Sequence, residues 1–174
     1  MVSTKMRFLI ENFVNPKDAK QFINFFEKND HLCTDAREFH KDRNIHYPHI
    51  ENRSIKDLLD YYANKTIFFM DHYFKTKTAL WQPMRLCRWK KGEKMVLHAD
   101  QNGPDTMDFS SLIYLNDNYK GGELFFENET FKMNALSSII FTSGNENKHG
   151  IKTVLKGKRY TIPSWYKVFT IPKE

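Results

Sequence analysis

The stretch Met95-Val96-Leu97-His98-Ala99-Asp100-Gln101-Asn102-Gly103-Pro104 decides how the rest of the chain is interpreted. An apolar run ends in His-x-Asp, and a turn-forming cluster follows immediately. Side chains two residues apart in a β-strand point to the same side of the strand. His98 and Asp100 can therefore reach one point in space, where they would offer an imidazole nitrogen and a carboxylate oxygen to a metal ion.

The composition indicates one domain over residues 1–174, with 40% hydrophobic residues and fifteen Phe to form its core. No apolar run reaches the ~18 residues of a transmembrane helix, and no signal peptide is recognisable. Cys33 and Cys87 are then expected to be reduced thiols in a cytoplasmic protein. The net charge of +6 comes from scattered basic residues, which favours a generic lysine-rich surface over a nucleic-acid site.

Two amphipathic helices are predicted in the N-terminal part of the chain. A short strand at Phe8 to Phe13 precedes them, and Asn15-Pro16 begins the first helix as N-cap and first helical residue. Ser54 to Asp57 resembles a capping box for the second helix, and the polar segment 30–53 between the helices is expected to be loop. The apolar faces consist of residues at helical spacing, namely Ala19, Phe22, Ile23 and Phe26 in the first helix and Ile55, Leu58, Leu59 and Tyr62 in the second.

Beyond Pro83 the pattern changes to short strands separated by turn residues. About eight strands in about 85 residues are typical of a sandwich or barrel. A strand at about 148–154 is expected to pair with 159–162 through the Lys156-Gly157 turn, and a barrel would bring it beside the strand at about 93–99. The remaining strands are predicted at about 84–90, 109–115, 122–127, 130–133, 137–142 and 159–169.

His-x-Asp by itself is weak evidence for a metal site. The chain has seven His, and similar pairs occur at His40-Lys41-Asp42 and His49-Ile50-Glu51. Both of these pairs lie in a charged, turn-rich segment, whereas a metal site needs ligands that a rigid scaffold holds in place. They are expected to be solvated loop side chains.

His149 would complete the cluster if its strand lies beside that of His98. Two His and one carboxylate leave open positions on the metal, and this ligand set is typical of non-haem Fe(II) oxygenases. Considered alone, His149 would be interpreted more readily as a hydrogen-bonded histidine of the core or rim. Arg159, ten residues further on, favours the metal interpretation, because a longer pattern includes both residues.

That longer pattern consists, in order, of Gly92, His98-Ala99-Asp100, Tyr114-Leu115-Asn116-Asp117, Gly121-Gly122-Glu123, Phe126, Phe141, His149, Gly157, Arg159 and Trp165. With it, the segment from Trp89 to Trp165 resembles the prolyl 4-hydroxylase-like family of 2-oxoglutarate and Fe(II)-dependent dioxygenases. Residues 159–166 are most similar to the hypoxia-factor type of prolyl hydroxylase. The resemblance implies a mainly β fold with N-terminal helices (α+β). Its core would be a double-stranded β-helix (jelly-roll or cupin-like) over about 83–170, backed by helical support over about 1–80.

The resemblance also implies a role for each matching position. His98, Asp100 and His149 would bind the iron. Arg159 would bind the distal carboxylate of 2-oxoglutarate, since a guanidinium stays charged and forms paired hydrogen bonds with a carboxylate. Tyr114 would place its hydroxyl on the same carboxylate. The other residues of the co-substrate pocket would be Trp89, Leu124 and Trp165.

The implied reaction is hydroxylation of a C–H bond by Fe(II), 2-oxoglutarate and O2, with succinate and CO2 as co-products and ascorbate as a supporting reductant. The carboxylate of Asp100 favours hydroxylation, because related halogenases lack that ligand. The family suggests a prolyl residue in a peptide or protein as substrate. The segments at about Arg37 to Ile50 and Gln101 to Asp108 are expected to cover the site, with substrate contacts from Trp81, Gln101, Asn102 and Tyr166.

Three alternatives remain open from the sequence. The substrate could be a small molecule such as a free amino acid. Oxidative demethylation of nucleic acid would suit the positive charge, but enzymes of that type usually carry a second Arg, and no Arg follows Arg159. A non-catalytic binding module on the same scaffold would not need the cluster together with Arg159. Neither nucleic acid nor a membrane is expected as a partner, and the oligomeric state is left open.

Overall fold

The structure, a computed structural model, describes residues 6–35, 43–101, 103 and 106–169. Two α-helices lie in the N-terminal half, α1 (Pro16–Lys28) and α2 (Arg53–Phe74). Single turns of 3-10 helix occur at Asp30–Leu32, Tyr47–His49 and Asn145–Asn147. None of the described helices has the length and apolar character needed to cross a membrane.

The helix starts follow from their N-caps. The Asn15 side chain accepts a hydrogen bond from the Lys17 amide at 2.8 Å, with Pro16 after it, as predicted. The prediction that Ser54 opens α2 is wrong. Asn52 is the N-cap, because its side-chain oxygen accepts from the Ile55 amide at 3.1 Å and satisfies a donor of the first turn.

The strands of the described residues are, in chain order, β1 (Arg7–Ile10), β2 (Thr34–Asp35), β3 (Arg43–His46), β4 (Thr78–Gln82), β5 (Arg85–Trp89), β6 (Met95–His98), β7 (Phe109–Tyr114), β8 (Lys120–Gly121), β9 (Leu124–Phe126), β10 (Glu129–Phe131), β11 (Ser138–Thr142), β12 (His149–Ile151), β13 (Val154–Lys156) and β14 (Arg159–Val168).

Two antiparallel sheets form the framework. The major sheet has the order β1-β11-β7-β14-β5-β3-β2, with β4 paired to β14, and the minor sheet has the order β10-β9-β12-β6. A separate two-stranded ladder joins β13 to β8. The prediction of a mainly β fold with N-terminal helices is confirmed.

The two faces of the major sheet have different neighbours, because side chains alternate along each strand. One face packs on the helices in an apolar core that includes Phe22 and Phe26 of α1, Leu59 of α2, and Leu86 and Ile162 of the sheet. The opposite face meets the minor sheet in a second apolar cluster, which contains Cys87, Trp89, Tyr114, Leu124, Phe126 and Ile151. Functional side chains on this second face are therefore enclosed between two sheets.

The pairing of the segment 148–154 was predicted only in part. β12 lies beside β6, as expected, with His149 opposite His98. The expected pairing with 159–162 is wrong. The segment divides into β12 and β13, and β14 instead pairs with β5, β7 and β4 in the major sheet.

The polar segment between the helices also differs from its prediction. It adds β2 and β3 to the edge of the major sheet, and Ile45 of β3 is fully buried in the helix-facing core. His49 lies in a 3-10 turn, and no group of metal-binding side chains includes it among the described residues. His40 and Asp42 lie outside those residues. Cys33 and Cys87 are not joined by a disulfide.

Candidate metal centre and adjoining pocket

Strand pairing brings His98, Asp100 and His149 together. His98 ends β6, Asp100 follows two residues later, and His149 opens β12 opposite His98. One potential ligand atom from each side chain lies within 4.8 Å of the other two. The Nε2 atoms of His98 and His149 lie 3.3 and 3.6 Å from the carboxylate oxygens of Asp100.

The backbone and a serine orient these three side chains. His98 Nδ1 lies 3.0 Å from the Val96 carbonyl oxygen, and His149 Nδ1 lies 3.1 Å from that of Asn147. A carbonyl only accepts hydrogen bonds, so each neutral ring carries its proton on Nδ1 and directs the lone pair of Nε2 toward the shared point. Ser110 Oγ donates to Asp100 Oδ2 at 2.6 Å.

The pKa shifts of Asp100 and His149 favour the forms that bind a metal, whereas that of His98 has the opposite direction. Burial would raise the pKa of Asp100, but the hydrogen bond from His98 and the charge of His149 outweigh it, so the pKa is lowered and Asp100 is a carboxylate. Burial lowers the pKa of His149, which favours the neutral, ligating form. For His98, burial is outweighed by the hydrogen bond and charge of Asp100, and its pKa is raised.

The cluster opens into a cavity of about 500 Å³ between the two sheets. This volume is in the range of small-molecule sites. Among the described residues that line the cavity, Asp100 supplies the only carboxylate, whereas Arg85 and Arg159 supply two guanidinium groups. The pocket is therefore suited to anionic ligands.

Arg159 gives the clearest indication of which ligand this cavity binds. Its side chain is 0% exposed, and Nη2 donates to the Tyr114 hydroxyl at 3.0 Å. Its Nε and Nη1 atoms are buried and have no hydrogen-bond partner among the described residues. Buried donors without an acceptor are costly, and a carboxylate bound in the cavity would supply the missing acceptor. Burial raises the pKa of Tyr114 to about 12, so this neighbour is a neutral phenol.

The residues present fit Fe(II) and 2-oxoglutarate. Two imidazoles and one carboxylate on one side of an open cavity are the ligand set of non-haem Fe(II) oxygenases. The unpaired Arg159 donors in the same cavity fit the distal carboxylate of a dicarboxylic co-substrate.

Comparison with known proteins agrees with this geometry. Residues 84–167 match the model of the 2OG-Fe(II) oxygenase superfamily. The matched segment contains all three residues of the cluster and Arg159.

Curated relatives match a short part of the chain. Prolyl 3-hydroxylase 2 from Homo sapiens is 38% identical in an alignment of 74 residues that covers 38% of this chain and 10% of that protein. Prolyl 3-hydroxylase 3 from Mus musculus is 39% identical in an alignment of 70 residues that covers 34% of this chain and 9% of that protein. The matched part therefore spans about a tenth of the length of these relatives.

Solved structures match nearly the whole fold. A Pseudomonas putida prolyl-4-hydroxylase has a TM-score of 0.79 at 16% identity, over 97% of this chain and 96% of that one. A viral collagen prolyl hydroxylase from Paramecium Bursaria Chlorella virus-1, solved with 2OG, has a TM-score of 0.76 at 17% identity, over 92% and 94% of the two chains. These likenesses confirm the predicted double-stranded β-helix fold.

The structure places the other predicted pocket residues on the cavity side of the sheets. Trp89 is buried, and its ring centroid lies 5.9 Å from the guanidinium carbon of Arg159. Leu124 is fully buried in the apolar cluster that contains Trp89 and Tyr114. Trp165 lines the cavity directly. Contact of these residues with a bound co-substrate remains a prediction.

The predicted substrate contacts are not brought together. Tyr166 is fully buried on the helix-facing side of β14 and hydrogen-bonds to Ser164, which corrects the prediction, since neighbouring strand residues face opposite ways. Trp81 is 43% exposed, and neither Trp81 nor Gln101 is among the cavity-lining residues. Asn102 lies outside the described residues, as do parts of the two segments expected to cover the site.

Sequence reasoning missed several residues that the structure places at the cavity, namely Asn44, His46, Gln82, Arg85 and Ser110. Three of them lie on β3 and β4, which were not predicted. Arg85 could have been found, because it alternates with Cys87 and Trp89 along β5 and must share their face. No sequence pattern identifies Ser110 as a cavity residue, since its contact with Asp100 depends on strand pairing.

A second, more open cleft of about 610 Å³ lies between α1 and the start of α2. His31, His49 and Glu51 are among its lining residues. No described group of three metal-binding side chains is found there. We therefore assign the chemistry to the cavity between the sheets.

Proposed function

We propose that this chain is an Fe(II)- and 2-oxoglutarate-dependent dioxygenase that hydroxylates a prolyl residue in a peptide or protein. 2-Oxoglutarate would be converted to succinate and CO2, with one oxygen atom of O2 entering succinate and the other the hydroxylated prolyl residue, and with ascorbate as a supporting reductant. The observation that carries the proposal is the buried Arg159 guanidinium, which has two unpaired donors in the cavity of the His98, Asp100 and His149 cluster. The prolyl 3-hydroxylase relatives support the prolyl substrate.

A peptide substrate has further support. One structural neighbour is a prolyl hydroxylase from Trichoplax adhaerens in complex with a peptide fragment of the hypoxia inducible factor oxygen degradation domain. Its TM-score is 0.74 at 18% identity, over 92% of this chain and 83% of that one.

His98, Asp100 and His149 would hold Fe(II) through two imidazole nitrogens and one carboxylate oxygen. Bound Fe(II) and 2-oxoglutarate supply the oxidising chemistry, so no protein side chain has to act as acid or base at the substrate carbon. The contribution of this chain is to bind and orient the co-substrate and the substrate, and to exclude water from the site.

Arg159 and Tyr114 would orient the co-substrate. The guanidinium would donate to the distal carboxylate through an N–H that has no partner among the described residues, while its Nη2 remains on the Tyr114 hydroxyl. Because Tyr114 is buried and protonated, its O–H proton is available to the same carboxylate. Trp89, Leu124 and the other members of the apolar cluster enclose this end of the pocket and keep water away from the ion pair.

The proposal is tested by measuring succinate formed from 2-oxoglutarate with Fe(II), O2 and proline-containing peptides. We expect peptide-stimulated succinate in the wild type and none with His98→Ala. Tyr114→Phe removes one hydroxyl from the Arg159 site and should raise the 2-oxoglutarate concentration needed for half-maximal rate about tenfold.

Tyr166→Phe is the matched control for Tyr114→Phe. It deletes the same group from a fully buried tyrosine on the opposite face of the sheet, so the 2-oxoglutarate requirement should not change. Absence of succinate in the wild type, or equal succinate with His98→Ala, would contradict the proposed function.

A further inference from the structure

Arg85 is a second guanidinium in the cavity, and the proposed chemistry does not use it. It lies on β5 with Cys87 and Trp89 on the cavity-facing side. Its guanidinium carbon lies 4.7 Å from the ring centroid of Trp165. Its Nε is buried without a hydrogen-bond partner, and Asp100 is the only carboxylate among the described residues that line this cavity. Stacking alone leaves that N–H donor unsatisfied.

Arg85 lies at the other end of the cavity from Arg159. Arg159 pairs with Trp89 across the sheet, and Trp89 is four residues beyond Arg85 on the same strand. At about 3.3 Å per residue, the two positions are about 13 Å apart. A 2-oxoglutarate molecule held by Arg159 and by the metal centre therefore leaves Arg85 unneutralised.

The metal centre lies near the Arg85 end of the cavity. Trp165, which stacks on Arg85, is opposite Ser110 in the register of β14 and β7. Ser110 in turn donates to Asp100 at 2.6 Å. Only the Trp165 ring would thus separate a group bound by Arg85 from the metal centre. The substrate must approach the metal from this region.

The net charge of the site with Fe(II) and 2-oxoglutarate bound indicates which charge a group bound by Arg85 should carry. Fe(II), the Asp100 carboxylate, the Arg159 guanidinium and doubly charged 2-oxoglutarate together are neutral. Arg85 adds one positive charge, and no other carboxylate lines the cavity among the described residues. A partly buried charge without a counter-ion is unfavourable, so an anionic group is the fitting partner.

We propose that Arg85, held against Trp165, binds a carboxylate of the substrate next to the C–H bond that is hydroxylated. The inference rests on the proposed function and narrows its substrate class to proline compounds that carry a carboxylate. Two sources have this chemistry. One is an Asp or Glu side chain beside the target proline in a peptide, and the other is the main-chain carboxylate of a C-terminal or free proline.

The test is calorimetric binding of matched ligands to the full chain with Fe(II) and 2-oxoglutarate under nitrogen, where no turnover occurs. One pair of peptides has Asp or Asn beside the proline, and a second pair ends in proline as the acid or the amide. In the pair that matches the true source, we expect the carboxylate to bind about tenfold to hundredfold more tightly, the range of a hydrogen bond to a charged group.

Arg85→Gln should abolish this preference and leave the affinities for 2-oxoglutarate and for the amide or Asn ligands unchanged. Unchanged 2-oxoglutarate binding also shows that the variant is folded. Arg53→Gln is the matched control, because it removes the same charge from an exposed residue of α2 that pairs with Asp57. It should keep the full preference.

Equal binding of acid and neutral ligands by the wild type, or an intact preference in Arg85→Gln, would overturn this proposal. Both outcomes leave 2-oxoglutarate binding in place, and therefore leave the proposed function in place. If the wild type did not bind 2-oxoglutarate, the proposed function would fail and this proposal would fail with it.

Discussion

Ser110 shows how a single hydroxyl prepares the metal centre. Its Oγ lies 2.6 Å from Asp100 Oδ2 and 2.7 Å from Ser143 Oγ. These hydrogen bonds hold the Asp100 carboxylate in its orientation. Groups that orient metal ligands typically contribute 10–100-fold to metal affinity. We expect Ser110→Ala to weaken Fe(II) or Mn(II) binding, measured by calorimetry, by about tenfold or more.

Ser111→Ala is the control for this prediction. Its hydroxyl is 2.9 Å from Ser164 Oγ, on the helix-facing side of β7, so the same deletion should leave metal affinity unchanged. Equal effects of the two variants would mean that Ser110 acts on stability and does not position Asp100.

Single residues were predictable from sequence where a motif fixes their position, and unpredictable where strand pairing does. His98, Asp100, His149 and Arg159 belong to an ordered pattern, and the structure brings them to one cavity. Tyr166 was placed on the wrong face, because an error of one residue in a strand reverses the direction of the side chain.

At the scale of elements, Glu27 connects α1 to the sheet that carries Arg159. Its carboxylate accepts from Arg88 Nη1 at 2.6 Å on β5 and from the Tyr160 hydroxyl at 2.7 Å on β14, and it also pairs with Lys158. Burial would raise the pKa of Glu27, but these hydrogen bonds and charges lower it to about 2 from its ordinary value of 4.5.

The sign of the pH dependence follows from that lowered pKa. The ionised form of Glu27 stabilises the folded state, so its contribution is present above pH 4.5 and is lost as the pH falls toward about 2. Glu27→Gln should lower the free energy of unfolding by about 1 kcal/mol at neutral pH, since the site is partly open to solvent. The difference from the wild type should close below pH 4.5.

Urea unfolding at a series of pH values measures this difference. Glu51→Gln, at an exposed glutamate, is the control and should track the wild type throughout. A constant difference between Glu27→Gln and the wild type down to about pH 2 would show that ionisation of Glu27 is not the cause.

Elements were predictable where their own sequence carries the signal. Asn15-Pro16 marks the start of α1, and alternating apolar residues mark most strands of the β half. β3 was taken as loop, because a short edge strand with one buried apolar residue, Ile45, has too little periodicity to be recognised. The boundary between β12 and β13 was also missed, since the partners of each strand come from distant parts of the chain.

In the whole molecule, the two faces of the major sheet have different roles. The helices cover one face and form the larger apolar core, while the other face and the minor sheet enclose the cavity. Within that cavity Arg159 and Arg85 lie at opposite ends with the candidate metal cluster near Arg85, so the proposed co-substrate and substrate sites would have separate anchors. The single domain over residues 1–174 and its cytoplasmic location stay predictions.

The most direct test of the central claim is mass spectrometry of a proline-containing peptide after incubation with the chain, Fe(II), 2-oxoglutarate and isotopically heavy O2. We predict one heavy oxygen atom in the hydroxylated peptide and one in succinate, with both products lost in Arg159→Gln at limiting 2-oxoglutarate. An unmodified peptide in the presence of the wild-type chain, or undiminished hydroxylation by Arg159→Gln, would contradict the account.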